Sequence, residues 1–79
     1  MSWKEENNTL HKHFEFSDFK EAFAFLEKVA KLAEQHNHHP RIENEYNKVD
    51  LYLTSHDAGN TVTDKDHNLA KEIDATQGE

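Results

Sequence analysis

The sequence predicts an α+β fold, an antiparallel β-sheet with α-helices packed on one face. Two stretches alternate apolar and polar residues with the period of a half-buried strand. Two others repeat apolar residues with the period of an amphipathic helix. They follow one another as strands, helix, strands, helix. The chain's few breakers, Pro40, Gly59 and Gly78, mark breaks.

From Thr9 to Phe16 the residues alternate. Leu10, Lys12, Phe14 and Phe16 share one side, and His11, His13 and Glu15 share the other. Trp3 to Glu6 reads as a short partner strand, with Asn7-Asn8 as the turn. Ser17 and Asp18 offer helix N-caps, and Glu21 stands three residues after Asp18, the spacing of a capping box. The helix runs from Phe19 to about Gln35. Phe19, Ala22, Phe23, Leu26, Ala30 and Ala33 are expected on its apolar face, widened by Phe25, Val29 and Leu32. So wide a stripe suits a helix that packs on a sheet and touches another subunit. Pro40 rules out continuation of the helix and biases His39 towards an extended conformation. Tyr46 to Ser55 is the clearest strand, with Val49, Leu51 and Leu53 facing one way and Asp50, Tyr52 and Thr54 the other. Asp57-Ala58-Gly59-Asn60 reads as a loop. Thr63 then caps a last helix that buries Leu69, Ala70 and Ile73, and the tail from Ala75 is expected to fray.

A chain of 79 residues makes one domain, 1–79. Hydrophobic residues make up 34% and charged residues 32%, so the core is thin. A lone core of this size supplies about 3–5 kcal/mol of net stability. The chain has no cysteine, so neither a disulfide nor a thiolate metal site reinforces it. Self-association is the expected remedy. The net charge of −7 disfavours direct binding to nucleic acid, because an acidic surface repels a phosphate backbone. No apolar run approaches the ~20 residues of a membrane span. Met1-Ser2-Trp3-Lys4-Glu5-Glu6 lacks the apolar stretch of a signal peptide. A cytoplasmic protein is expected, with no membrane and no nucleic acid among its partners.

The unusual count is seven histidines, three of them within His36-Asn37-His38-His39. His38 and His39 sit at a helix exit pinned by Pro40, and His56 sits at a strand end. Such places present side chains to a cleft on a rigid scaffold. An imidazole titrates near neutral pH and can both give and take a proton. Two or three of them around one pocket suit a reaction that protonates a leaving group and removes a proton elsewhere. Dehydration is such a reaction. Two other readings of the same residues stand beside it. Any one of these histidines can be an ordinary polar surface residue. His36, His38, His39 and His56 can also be read as zinc or copper ligands, although their spacing matches no recognised zinc motif.

Residues 34–66 resemble the signature of the pterin-4a-carbinolamine dehydratase (4a-hydroxytetrahydrobiopterin dehydratase) family. The pattern runs Glu34, three residues, His38-His39-Pro40, five residues, Tyr46, nine residues, His56, nine residues, Asp66. Phe16-Ser17-Asp18-Phe19-Lys20-Glu21-Ala22-Phe23, Tyr46-Asn47-Lys48-Val49, Leu53-Thr54-Ser55-His56-Asp57 and Asp66-His67-Asn68-Leu69-Ala70 resemble its flanking sequence. The likeness extends from about Phe14 to Ile73.

The resemblance implies a lyase that removes water from a 4a-hydroxytetrahydropterin to give the quinonoid dihydropterin. That step recycles the pterin cofactor of aromatic amino acid hydroxylases and belongs to tetrahydrobiopterin biosynthesis and recycling. It implies no metal and no organic cofactor, the pterin being the substrate, and a homodimer or homotetramer. The residues matching His38, His39 and His56 are the catalytic histidines, expected to converge on one pterin-sized hollow. Asn37, Thr54, Ser55 and Asp57 match positions lining the pterin site, Glu34 and Asp66 match the signature's acidic ends, and Pro40 belongs with the substrate-binding set.

Plainer roles stay open for these residues. Asp66 stands three residues after Thr63 and can complete a capping box. Glu34 can be a solvated helix residue, Pro40 a mere helix stop and Tyr46 a packing residue. His11 and His13 read as ordinary surface residues, and His36 and His67 lie outside the signature. Longer relatives carry a further helix before the tryptophan, which the resemblance implies is lacking here. Arg41-Ile42 stands where relatives have an acidic-aromatic pair, which changes one wall of the expected pocket. A second role is implied by the same family. Some relatives are dimerisation cofactors for a transcription factor and others help assemble a carbon-fixing enzyme, so a non-catalytic interaction or assembly factor on this fold is the alternative.

Overall fold

A computed structural model describes residues 2–78. The elements are β1 (Lys4–Glu6), β2 (Thr9–Glu15), α1 (Phe19–His36), β3 (Arg41–Glu45), β4 (Lys48–Leu53), a single 3-10 turn (His56–Ala58) and α2 (Asp64–Ala75). All neighbouring strands pair antiparallel in the order β1-β2-β4-β3, so the long strands lie in the middle. Asn7 and Asn8 both take positive φ (53° and 62°), the backbone that a two-residue hairpin turn requires and that asparagine tolerates.

The alternation in β2 and β4 sorts the two sheet faces as expected. Leu10, Phe14, Val49, Leu51 and Leu53 are buried beneath the helices, and His11, His13, Asp50 and Tyr52 stand on the opposite face. Lys12 belongs to the buried set. Its Nζ donates to Asp74 Oδ1 at 2.8 Å, and Trp3 Nε1 reaches both oxygens of the same carboxylate at 3.1 Å. Asp74 thus ties β1 and β2 to the end of α2. α2 ends at Ala75, and residues 76–78 continue as a hydrogen-bonded turn.

Both helix starts are built as their sequence indicates. Asp18 accepts from the Glu21 amide at 2.9 Å, and the Glu21 carboxylate accepts from the Ser17 amide at 3.1 Å. The buried stripe of α1, however, is Ala22, Phe25, Leu26, Val29 and Ala33. Phe19 and Phe23 lie off it, each 48% exposed and stacked on one another at 5.5 Å. The apolar face is rotated from the expected one, because the two-helix layer is met along 22–25–29–33.

A second correction concerns β3 and β4. Arg41–Glu45 is a strand the alternation did not announce, and Tyr46-Asn47 is the hairpin turn rather than the start of β4. Every residue of β3 is exposed, so it carries no apolar rhythm; its pairing with β4 is what makes it a strand. Among the described residues no helix is long and apolar enough to cross a membrane.

Candidate active site

The exit of α1 is a helix stop with a purpose. Asn37 takes the left-handed conformation (φ 50°, ψ 44°), and its amide donates to Glu34 O while the His38 amide donates to Ala33 O. This pair of bonds closes a helix whose last residue must turn back. The turn delivers His38 to α2. Its Nε2 meets Asp66 Oδ1 at 2.5 Å, with the imidazole 11% exposed and the carboxylate fully buried. The other oxygen of Asp66 accepts from the Ser55 hydroxyl at 2.7 Å and from the Thr63 amide at 2.9 Å. Asp66 therefore caps α2 and also holds the His38 ring. Burial alone would raise the pKa of Asp66. The His38 ring, the Thr63 amide and the Ser55 hydroxyl outweigh burial and hold it below the ordinary carboxylate value.

His39, next in the chain, points elsewhere. Its Nε2 donates to Glu34 Oε2 at 2.6 Å, and this pair is exposed, 58% for the ring and 77% for the carboxylate. His56 opens the 3-10 turn after β4. Its Nδ1 meets the Asn60 side-chain carbonyl at 2.6 Å, and Asn60 is held left-handed (φ 60°) just beyond Gly59 (φ 85°). The bond to Asn60 places the proton of a neutral His56 ring on Nδ1 and leaves Nε2 as its basic nitrogen.

A hollow of about 470 Å³ lies between these parts. The segment after α1 contributes His39, the end of β4 contributes Thr54, and the 3-10 turn contributes His56. The outer sheet face contributes His11, Arg41 and Tyr52, and the β1–β2 hairpin contributes Glu6, Asn7 and Thr9. Thr54 also braces that hairpin, its hydroxyl donating to Asn8 O at 2.8 Å.

The family model described as pterin 4 alpha carbinolamine dehydratase matches residues 1–76. The chain belongs to that family. A relative from Sulfurisphaera tokodaii, named "Putative pterin-4-alpha-carbinolamine dehydratase", is 51% identical over 72 residues, 91% of this chain and 76% of its own. One of the same name from Prochlorococcus marinus strain NATL2A is 49% identical over 73 residues, 92% of this chain and 76% of its own. Among solved structures, a transcriptional coactivator/pterin dehydratase from Brucella melitensis superposes with a TM-score of 0.88 at 36% identity, covering 94% of this chain and 80% of that one. A pterin dehydratase-like protein described as a RuBisCO assembly factor in the alpha-carboxysome gives 0.80 at 28% identity, covering 95% and 88%.

Within the dehydratase fold, three imidazoles do line one hollow, but they are His11, His39 and His56. His38 is not among the lining residues; its ring is paired with Asp66. Of the residues expected around the substrate, Thr54 lines the hollow. Ser55 is fully buried, its hydroxyl shared between Asp66 and Thr63 (2.7 Å each). Asp57 pairs with Lys65 at 2.8 Å, which holds its carboxyl below the ordinary value, with a smaller contribution from His38. Asn37, Pro40 and Glu34 are outside the lining; Glu34 reaches it through His39, and Asn37 acts through its backbone. The histidines read as metal ligands do not converge. His36 binds Glu72 at 3.0 Å, and the other three each take the separate partner already described. Among the described residues no group of three His, Cys, Asp or Glu side chains could hold a metal ion.

Sequence reasoning missed His11 and Tyr52, whereas Arg41 was already expected at one wall of the pocket. The signal of the two missed residues was present but mute: both fall on the polar side of their strands, where alternation reports only exposure. Asn60 was missed as well, although an asparagine directly after Gly59 is the residue type that tolerates a left-handed turn.

Proposed function

We propose that this chain dehydrates a 4a-hydroxytetrahydropterin to the quinonoid dihydropterin, and so returns the pterin cofactor to aromatic amino acid hydroxylases. The observation that carries the reading is the hollow shared by His39 and His56, in a chain of the dehydratase family. The reaction breaks the C4a–O bond, forms a C=N bond in the ring and releases water. A proton goes to the departing hydroxyl and another leaves a ring nitrogen. His39, whose ring is oriented by the bond from its Nε2–H to the Glu34 carboxylate, serves as the acid. His56, with Nε2 unprotonated in its neutral form, takes the ring proton. Asp66 fixes the His38 ring at the exit of α1, directly before His39 in the chain. Thr54 offers the substrate a hydroxyl from β4; Ser55, Asp57, Asn37 and Pro40 shape the segments on either side. Loss of water changes no oxidation state, so the reaction needs no redox cofactor.

The test is dehydration of a synthetic 4a-hydroxytetrahydropterin, measured against the spontaneous rate in buffer. Acceleration is expected, and His39→Ala and His56→Ala should each lower it by about 10²–10⁴-fold with the circular dichroism unchanged. A wild-type rate equal to buffer overturns the proposal. The second reading is an assembly factor, favoured by the likeness to the RuBisCO assembly factor of the alpha-carboxysome. It is preferred if there is no acceleration and the protein instead raises the yield of a co-expressed multisubunit enzyme. Self-association belongs to either reading. The exposed Phe19–Phe23 stack and the exposed Ile42 and Tyr46 are apolar surface that a second copy can cover. Light scattering at micromolar concentration should show a dimer or tetramer.

A further inference from the structure

The helices cover one face of the sheet, and the other face supplies a wall of the hollow. In the row nearest the histidines, His11 of β2, Tyr52 of β4 and Arg41 of β3 are register partners. Tyr52 stands between the other two. The His11 ring stacks on it at 4.5 Å and 8°, and the Arg41 guanidinium lies 4.8 Å from the ring centroid. Carboxylates of the adjoining row hold all three in place. Asp50 accepts from His11 at 2.7 Å, while Glu43 accepts from Arg41 and, at 3.3 Å, from the Tyr52 hydroxyl. The wall is therefore fixed before a ligand arrives, which lowers the ordering cost of binding.

In a chain of net charge −7, the hollow is lined by one guanidinium, Arg41, and one carboxylate, Glu6, while Glu43, Asp50 and Glu34 meet Arg41, His11 and His39 from outside the lining. A guanidinium has five N–H donors in a planar fork. Glu43 engages one terminal nitrogen of Arg41, and the remaining donors suit an oxyanion. A volume of about 470 Å³ is within the range of pockets that enclose a whole small ligand, ring and substituent together.

Resting on the dehydratase reading of the hollow, we infer that the Arg41–Tyr52–His11 row is its specificity wall and selects a reduced pterin whose ring substituent carries an anionic group, a phosphate or a carboxylate. His39 and His56 hold the reacting ring, and the substituent extends along the sheet to Arg41. A neutral hydroxylated substituent leaves the donors of Arg41 that Glu43 does not engage without a charged acceptor.

The experiment compares kcat/KM for matched 4a-hydroxytetrahydropterins with a dihydroxypropyl, a phosphorylated and a carboxylated substituent. One or both anionic substrates should be favoured by about tenfold or more, the scale of one charge-assisted contact. The preference should shrink as ionic strength rises, fall towards one in Arg41→Gln and survive in part in Arg41→Lys. Preference for only one anion names the group. Acceleration without any preference overturns the wall and leaves the dehydratase reading intact. Equilibrium binding of stable oxidised pterins with the same three substituents separates the other case. If no substrate is accelerated but anionic pterins bind tighter, and Arg41→Gln removes the difference, the catalytic reading fails and the wall stands. If none of these pterins binds, both fall.

Discussion

On the helix-covered face of the sheet, Val49, Leu51 and Leu53 are fully buried; one position along the same strand, Asp50, Tyr52 and Thr54 stand on the open face with part of their surface in solvent. The covered face meets the helices, and even its one charged member, Lys12, is tied inward to Asp74. The open face settles its charges sideways. Asp50 accepts from His11 at 2.7 Å and His13 at 3.0 Å, and His13 reaches on to Glu15 at 3.0 Å. The difference teaches a division of labour. Apolar burial on one face supplies most of the stability of a small domain. The other face is thereby released to hold titratable and aromatic groups against one another.

The largest expected effect that tests this division is at Leu51. Leu51→Ala should cost about 2–5 kcal/mol in urea unfolding, against less than about 1 kcal/mol for its open-face neighbour Tyr52→Ala. Equal losses would break the comparison. Next comes Asp66, whose buried carboxylate serves His38, Ser55 and Thr63 together. Asp66→Asn should cost about 2–3 kcal/mol. Asp66 is held below its ordinary pKa, so its contribution is complete above the usual carboxylate range and is lost as pH falls through its lowered value. The acid limb of the stability–pH curve should therefore flatten in Asp66→Asn.

A smaller effect belongs to the open face. The hydrogen bonds to Glu15 and Asp50 hold His13 above the ordinary imidazole value, outweighing its desolvation. What protonated His13 adds is complete below the unfolded value of about 6.5 and disappears as pH rises past the raised folded one. Thermal melts of His13→Gln and wild type should differ at pH 5.5 and converge at pH above about 8. The smallest change is expected at Glu34. Its pair with His39 is exposed, so Glu34→Gln should alter stability by less than about 0.5 kcal/mol. On the proposed function the same variant should slow dehydration of a pterin substrate, which would separate the two neighbouring histidines: the Asp66 partner of His38 acting on stability, the Glu34 partner of His39 acting on rate.

Much of this was legible residue by residue. Alternation placed Val49, Leu51 and Leu53 on the buried side, the Asp18–Glu21 and Thr63–Asp66 spacings announced both helix starts, and the Asn7-Asn8 turn was read correctly. The strand Arg41–Glu45 was not legible, because an exposed edge strand has no buried side and so leaves no apolar period. Phe19 and Phe23 misled for the complementary reason. Helical spacing shows that residues share a face, but whether that face meets the sheet depends on how the helix is rotated against it.

The sequence by itself determined the family pattern, the two sheet faces and the breaks at which His38, His39 and His56 stand, since each follows from spacing along one chain. Only the tertiary structure decided which rings meet. His38 was drawn back to α2 by a buried carboxylate, and His11 entered the hollow because cross-strand register set it beside Tyr52 and Arg41. Register joins residues that stand 30 or more positions apart, such as His11 and Tyr52, and no local rhythm encodes such a meeting.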